Sequence, residues 1–429
     1  TEIYTLSLHD ALPIYAERNH FSNWLMARSE IHLASKFGKV QASEFATVDE
    51  MRRYIIANIH HLRKCRQKGM VIQFSAGRYD PDIMDFVKIG KGSLGGKARG
   101  LAFLYNLLHR SPGFLRRHPE ADIVVPRTLV IATDSFEAFI ARNGLDASRI
   151  CNCTDDEIRS RFLAGELPGG LEADLAAFLA RVRGPLAVRS SSLLEDAHVQ
   201  SSAGLYKTLL IPNSHEDGAV RLSHLLAAVR LVYASTFFER PLAFARGLSK
   251  QFQEDSMAVI VQALAGGRHG DFFYPAISGT AQSWNFYPVG PMAPGDGIAH
   301  VGLGLGRILE EGDAVLRFSP RFPAILPQFS TVEDVLAGAQ RHFYALRVGG
   351  ASDPPDLVRD AAVERREIHD ALEEFPVKRL VSTYLPEEHR IRDTAYAPGP
   401  KLLTFAPVLK HGVFPLPGIL ADQIGRAHV

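Results

Sequence analysis

Two positively charged side chains stand beside turns built from small residues, which is the composition of an anion-binding site. Arg189 follows the apolar run Leu186–Val188, which predicts a buried strand, and it precedes a serine-rich segment that leads to Gly204 and Thr208. Arginine presents a fixed fork of donors to phosphoryl oxygens, and small residues let backbone amides approach a ligand closely. The stretch 184–208 therefore predicts a polyphosphate site, with a surface arginine beside an ordinary polar turn as the alternative.

The second cation is Lys97, which ends a glycine-rich segment beginning at Gly90. The segment predicts a turn that delivers Lys97 into the first turn of a helix running through Leu107. A helix N-terminus attracts anions because its first amides are unpaired and its dipole is positive there, and an ammonium group adds to that attraction. Lys97 is therefore a candidate phosphate ligand. The alternative is a lysine that is simply exposed on a capped helix.

The same glycine-rich segment also matches the pattern of a dinucleotide-binding turn, through Gly90, Gly92 and Gly95. A dinucleotide fold requires an acidic residue at the end of the next strand, about 20 residues further on. We expect that strand at Ile123–Val125, where Pro126 follows instead of an acidic residue. A nicotinamide-dependent dehydrogenase is therefore only a minor alternative.

A buried polar residue is expected in the run Met257–Leu264, which is apolar except for Gln262. Burying an amide costs free energy unless the amide is hydrogen-bonded. Gln262 therefore either faces a ligand, such as the edge of an adenine base, or bonds to a neighbouring strand.

The remaining elements are predicted from hydrophobic periodicity and turn residues. Residues 17–68 read as helices, and Thr133–Ser135 is expected to cap another helix. Residues 331–374 are charge-rich and also predict helix. Residues 378–417 predict short strands between proline and glycine turns.

Composition limits the possible classes of protein. The chain has 429 residues, 46% of them hydrophobic and 22% charged, which is typical of a soluble globular protein of two or three domains. A formal net charge of +1 gives no electrostatic reason to expect nucleic acid or an anionic membrane as partner. Three cysteines are too few for a disulfide framework or a four-ligand zinc site. We expect a cytoplasmic protein.

The combination of these motifs resembles the N-terminal ATP-grasp domain of the phosphoenolpyruvate synthase and pyruvate phosphate dikinase family. The shared features are the Val-Arg-Ser-Ser strand end at 188–191, the Ser-x-Ala-Gly loop at 201–204 and the Gly-Gly-Lys at 95–97. The resemblance extends over about 90–420. It implies an α/β (α+β) fold in which two lobes close on ATP and Mg²⁺, preceded here by a helical segment.

The resemblance also implies roles for particular residues. Lys97 and Arg189 are the expected catalytic cations, and they would bind the phosphates of the nucleotide. Glu310 or Glu311 would serve the ribose or a metal, because Arg307 stands where many members have glutamate. The full set of expected nucleotide-binding residues is Lys97, Arg189, Ser190, Ser202, Gly204, Thr208, Gln262 and Glu310. The metal ligands are not identified.

Both ends of the chain resemble translated sequencing adapters, at Thr1–Ile14 and Ile424–Val429. We therefore expect 15–423 to be an internal fragment of a longer product, cut at both ends, with the ATP-grasp domain truncated at its C-terminal end. The predicted divisions are an adapter-like segment at 1–14, a helical lead-in at 15–88, the first part of the ATP-grasp at 89–260, an incomplete second part at 261–423, and a second adapter-like segment at 424–429.

In the intact protein, the resemblance implies a pyruvate, water dikinase-like enzyme. Its ATP-binding domain phosphorylates a histidine on a separate domain, which passes the phosphoryl group to pyruvate. Neither the phosphohistidine domain nor the pyruvate domain is present in this chain, which we expect to bind ATP without turning over. Rifampicin phosphotransferase-like chemistry, another dikinase and a non-catalytic nucleotide-sensing module remain alternatives.

Overall fold

A computed structural model describes residues 20–27, 30–146, 150, 153–192, 204–246, 256–312, 315–349 and 362–427. The helices are α1 His20–Ala27, α2 Ile31–Phe37, α3 Val48–Gln67, α4 Gly95–Arg110, α5 Pro112–Arg117, α6 Thr133–Asn143, α7 Asp155–Ala164, α8 Leu171–Arg181, α9 Gly218–Ser235, α10 Glu239–Arg246, α11 Arg307–Glu311, α12 Val332–Gly338, α13 Phe375–Lys378, α14 Ala406–Leu409 and α15 Leu416–Ala427. None of the helices within these ranges is both long and apolar enough to cross a membrane.

The strands are β1 Ile72–Gln73, β2 Phe86–Ile89, β3 Thr128–Ile131, β4 Leu186–Ser192, β5 Thr208–Ile211, β6 Met257–Ala263, β7 Gly267–His269, β8 Phe272–Tyr274, β9 Ser278–Gln282, β10 Ile298–Gly302, β11 Leu316–Phe318, β12 His342–Arg347, β13 Val363–Glu367, β14 Val381–Leu385, β15 Arg390–Arg392 and β16 Lys401–Leu403. The first six form one mixed sheet in the order β1-β2-β3-β6-β4-β5. Strands β1, β2 and β3 are parallel, and β6, β4 and β5 continue the sheet in antiparallel pairs.

Helices cover both faces of this first sheet. On one face, Ala98 and Tyr105 of α4 pack against Phe86, Val130 and Ile260. On the other face, helices α6 to α9 contribute to a larger apolar core that contains the buried side chains of Phe139, Phe178, Val188 and Val232. Because side chains alternate along each strand, the two faces of the sheet pack against different apolar cores. Helix α4 covers the face with the smaller core.

The second half of the described chain builds three smaller antiparallel sheets, in the orders β11-β10-β9, β13-β12-β8-β7 and β15-β14-β16. A second core joins them, with Phe318, Phe343 and Phe405 among its buried side chains. A separate apolar cluster connects this unit to the first sheet, because Leu210 of β5 packs with Leu305 and Ile308. The molecule is thus an α/β structure in which the second unit is seated against the α4 face of the first sheet.

Most expected elements are confirmed. Helices α1, α2 and α3 lie within the predicted helical segment 17–68. Of the region 378–417, short strands occupy 381–403 as predicted, whereas Ala406–Leu409 is helix α14 and α15 begins at Leu416. The prediction of helix over 331–374 is confirmed at Val332–Gly338 and wrong at His342–Arg347 and Val363–Glu367, which are strands. That region contains α12 followed by the hairpin strands β12 and β13, because β12 buries Phe343 and its neighbours. Its charged residues form exposed ion pairs such as Arg347 with Glu364 across the hairpin.

A second correction concerns the start of α6. The helix forms as predicted, but its N-cap residue is Ala132, whose side chain makes no capping bond. The side chains of Thr133 and Asp134 accept hydrogen bonds from the backbone of Ser93 and Lys91 instead. These two residues therefore hold the glycine-rich turn and do not cap their own helix.

Candidate functional site

The glycine-rich segment forms the predicted turn between a strand and a helix. Strand β2 ends at Ile89, and α4 begins at Gly95, which has a φ of +70° that only glycine adopts readily. Lys97 lies in the first turn of α4, is half-buried, and its Nζ lies 3.4 Å from the hydroxyl oxygen of Ser190. Lys97 thus lies in the first turn of a helix, as the sequence predicts, and the helix carries its ammonium group to β4.

Arg189 lies in β4, where its register partners are Thr208 in β5 and Ile260 in β6. The side chain is half-buried. Within the part of the chain that the structure describes, its guanidinium makes no hydrogen bond or ion pair. A half-buried guanidinium with its donors unused is chemically suited to an anionic ligand such as a phosphate.

The pairing of the strands places several candidate residues on one face of the sheet. Residues directly opposite in an antiparallel pair share a face, as do residues two apart in one strand. Thr208 is opposite Arg189, and Gln262 is opposite Ala187, so all three candidates lie on the face that α4 covers. Leu210 is on this face too, and it packs against the apolar cluster that includes Leu305 and Ile308 of α11. The candidate site is therefore the sheet surface between α4 and α11.

Gln262 is buried in β6 and its amide donates a hydrogen bond of 3.0 Å to the hydroxyl oxygen of Thr128 in β3. Thr128 and Gln262 are also direct register partners. The structure thus provides the bond to a neighbouring strand that the sequence allowed as one of two outcomes. The register partner of Gln262 in β4 is Ala187, which precedes Ser190 by three residues. Gln262 is therefore displaced from Ser190 by about 10 Å along the strand direction.

The other members of the predicted set differ in their surroundings. Gly204 is exposed and has a φ of +69°, so it can form the left-handed turn that leads into β5. Thr208 is exposed, whereas Ser190 is fully buried and engaged with Lys97. Ser202 lies outside the described residues.

The two acidic candidates on α11 have different environments. Glu311 accepts hydrogen bonds from Arg307 Nε at 3.1 Å and from the Tyr344 hydroxyl at 2.6 Å. The bond from Tyr344, followed by the interactions with Arg307, lowers the pKa of Glu311 despite some opposing burial. Glu310 is exposed and has no ion pair among the described residues. Glu310 is therefore the acidic side chain of α11 that remains available to a ligand.

Tyr344 adds an aromatic side chain that the sequence did not predict at this site. It lies in β12, within the segment expected to be helical, and the guanidinium of Arg307 stacks over its ring at 4.9 Å. The backbone of Tyr344 accepts a hydrogen bond from Leu305, in the glycine-rich segment 302–306. A strand assignment for 342–347 was therefore needed to bring this aromatic side chain to the site. The signal was the aromatic pair in the sequence His342–Arg347.

The strand that follows α4 is β3 at Thr128–Ile131, so the expected strand at 123–125 is wrong. An acidic residue, Asp134, does occur shortly after the true strand. Its carboxylate accepts from the backbone amide of Lys91, and Gly90 leaves no room for a side chain beside it. Asp134 is therefore occupied by the turn itself and is not presented to a ribose, as a dinucleotide site requires.

Comparisons with known proteins agree with an ATP-binding site. The family described as "Pyruvate phosphate dikinase, AMP/ATP-binding domain" matches residues 91–309, just over half of the chain. The chain is also similar to "Uncharacterized phosphotransferase YvkC" of Bacillus subtilis (strain 168), with 28% identity over 143 residues. That match covers 33% of this chain and 16% of the relative. The chain belongs to the pyruvate phosphate dikinase AMP/ATP-binding domain family.

Proposed function

We propose that this chain is the ATP-binding part of a phosphoenolpyruvate synthase-like phosphotransferase, and that Lys97 and Arg189 bind the phosphates. The observation that carries the proposal is the half-buried Arg189 guanidinium, which has no partner among the described residues. It shares a sheet face with Thr208, and helix α4, which carries Lys97, packs on that face. Two cations beside a helix N-terminus form a site that favours a polyanion.

The remaining roles follow from position along the same face. Gly204 would form the turn over the phosphates and Thr208 would fix that turn at the start of β5. Gln262 would lie by the base, because it is displaced along the sheet from the Lys97 end. Glu310 would face the ribose or a metal from α11. These assignments rest on the family resemblance together with the shared face.

In the intact protein, a histidine nitrogen on another domain would attack the β-phosphorus of ATP, so that the P–O bond to AMP breaks and a P–N bond forms. Water would then remove the γ-phosphoryl group as inorganic phosphate and leave one phosphoryl group on the histidine. The phosphoryl group would then pass to the enol oxygen of pyruvate. In such transfers, the protein contributes mainly positioning and neutralisation of charge on the phosphoryl oxygens. Lys97 and Arg189 supply that charge here.

Magnesium would neutralise further phosphate charge when it is bound with ATP. Its preferred ligands are carboxylate and other oxygen atoms. Among the described residues, no group of three or more His, Cys, Asp or Glu side chains is arranged to hold a metal ion. Glu310 is the acidic residue of this face that we propose as a contributor, and we assign the metal no further protein ligand.

A second candidate function is a nucleotide sensor without catalysis. The observation that favours it is the cluster of Arg307, Glu311 and Tyr344. In this cluster the Glu311 carboxylate, one of the two on α11, already accepts hydrogen bonds from Arg307 and Tyr344. A sensor would bind and release ATP unchanged. A dikinase, including one of the rifampicin phosphotransferase type, would transfer a phosphoryl group once its acceptor domain is supplied.

Calorimetry on the full chain with ATP, adenosine and NAD⁺ tests the proposed function. We expect ATP to bind at least about tenfold more tightly than adenosine, because the two cations contact only the phosphates. NAD⁺ binding that is tighter than ATP binding would contradict the proposal. Transfer of label from β-labelled ATP to an added phosphohistidine domain, with release of AMP and inorganic phosphate, distinguishes the dikinase from the sensor.

A further inference from the structure

The first turn of helix α4 is held by side chains other than that of its N-cap residue, including Ser93, whose Oγ accepts from the amide of Gly95 at 3.2 Å. Its N-cap residue, Leu94, provides no side-chain bond to the first turn. The hydroxyl of Ser191 takes that place from β4, because it accepts from the amide of Ala98 at 3.0 Å and donates to the carbonyl of Leu94 at 2.8 Å. Ser191 is fully buried, and a Cβ at Gly95 would overlap with the Ser191 carbonyl oxygen. The first turn of α4 is thus seated directly on β4.

The opposite side of the glycine-rich turn is held by the residues that follow β3. Asp134 Oδ2 accepts from the amide of Lys91 at 2.8 Å, and Thr133 Oγ1 accepts from the amide of Ser93 at 3.0 Å. The amide of Thr133 donates to the carbonyl of Ser93 at 3.0 Å. A Cβ at Gly92 would lie only 2.6 Å from Thr133 Oγ1. The turn is therefore in close contact with two strand ends.

We infer that Ser191, Thr133 and Asp134 are positioning residues for phosphate binding, which they serve by fixing the turn that carries Lys97. This inference rests on the proposed function. Ser191 Oγ, Thr133 Oγ1 and Asp134 Oδ2 all bond to the backbone of the turn and helix, and the second oxygen of Asp134 is buried beside Gly90. We therefore assign them an action through Lys97 and not on the nucleotide. A buried donor left without its acceptor is unfavourable, so loss of any of these contacts favours displacement of the turn.

The consequence is a difference between ligands that contain phosphate and ligands that do not. Removing the Ser191 hydroxyl displaces the Lys97 ammonium group, which weakens binding of ATP while leaving adenosine binding unchanged. A residue that merely stabilised the fold would affect both ligands or neither. In a Lys97→Ala background, removal of the Ser191 hydroxyl should have little further effect on ATP binding, because the group it positions is already absent.

The test compares Ser191→Ala and Asp134→Ala with the wild-type full chain. Asp134→Asn is the conservative variant, because the asparagine carbonyl oxygen can still accept from Lys91. Ser382→Ala is the matched control, since Ser382 is also fully buried and hydrogen-bonded but lies in β14. Two quantities are measured, namely hydrogen–deuterium exchange of 91–98 without ligand and the dissociation constants of ATP and adenosine.

We expect Ser191→Ala and Asp134→Ala to accelerate exchange in 91–98 and to weaken ATP binding about tenfold or more. Asp134→Asn and Ser382→Ala should leave both quantities close to wild type. Unchanged exchange in 91–98, or an equal loss of ATP and adenosine affinity, would overturn the inference. If the variants accelerated exchange but the wild type did not bind ATP, the proposed function would be wrong, and so would the positioning role in phosphate binding. The structural role of Ser191 and Asp134 in fixing the turn would still be supported.

Discussion

The ammonium group of Lys97 donates to the hydroxyl of Ser190 at 3.4 Å, although 93 residues separate the two along the chain. The contact joins the first turn of α4 to the strand that carries Arg189. Lys97 is half-buried, so it is not simply a lysine exposed on a capped helix. The two cations predicted to bind phosphate are consequently carried by adjoining elements, α4 and β4.

The contact between α4 and β4 predicts opposite effects for two glycine substitutions in the same helix. Gly95→Ala should lower the free energy of unfolding by more than about 1 kcal/mol, because its positive φ and the neighbouring Ser191 carbonyl both disfavour a side chain. Gly100→Ala should raise it by up to about 1 kcal/mol, since Gly100 is exposed and helical and an added Cβ would meet no neighbouring atom within 4 Å. Urea denaturation measures both values, and equal changes would contradict the close contact.

The bond between Gln262 and Thr128 predicts an asymmetry between two substitutions. Thr128→Val should destabilise the protein by about 1–3 kcal/mol, because it leaves the buried Gln262 amide without its acceptor. Gln262→Leu should cost less, since it removes the polar group itself. The double variant should recover most of the loss in Thr128→Val.

Chemical denaturation of these three variants provides the measurement. A neutral effect of Thr128→Val would show that the amide has another acceptor. Adenosine binding to Gln262→Leu separately tests the proposed position beside the base, which predicts weaker binding.

The hydrogen bond from Tyr344 predicts a pH dependence of stability through Glu311. Because the bond lowers the pKa of Glu311 below its ordinary value of 4.5, ionised Glu311 stabilises the fold above that pH. The contribution is lost as the pH falls through the lowered pKa of the folded state. Tyr344→Phe should therefore lower the melting temperature at neutral pH, and the difference from wild type should shrink below about pH 4.

Thermal melts of wild type and Tyr344→Phe at both pH values measure this effect. Arg341→Ala offers a control that removes an exposed charge from the neighbourhood without touching the carboxylate of Glu311. A difference between wild type and Tyr344→Phe that does not change with pH would mean that the ring, and not the hydrogen bond, stabilises the protein.

The elements beneath the candidate site were predictable because their sequence signals are local. Strands β4 and β6 are short apolar runs, and α4 follows directly from a glycine-rich turn. Such signals specify where an element begins and which residues it carries. They also placed Lys97 on the first turn of a helix and Arg189 in a strand before any partner was known.

The contacts between elements were not predictable in the same way. Thr133 and Asp134 have the composition of a helix cap, but their side chains bond to backbone amides about 40 residues earlier in the chain. The segment 331–374 has a charged composition that favours helix, yet burial of Phe343 in a strand outweighs that preference. In both cases tertiary packing selects between local structures of similar propensity.

The central claim is that Lys97 and Arg189 bind the phosphates of ATP, and calorimetry on single alanine variants tests it most directly. Arg99→Ala is the control, because Arg99 is an exposed cation two residues from Lys97 on the same helix. We predict that Lys97→Ala and Arg189→Ala each weaken ATP binding at least about tenfold, or about 1.4 kcal/mol, while adenosine binding and the Arg99→Ala variant remain near wild type. ATP binding that is present in the wild type and unchanged in both variants would contradict the claim and place the nucleotide elsewhere.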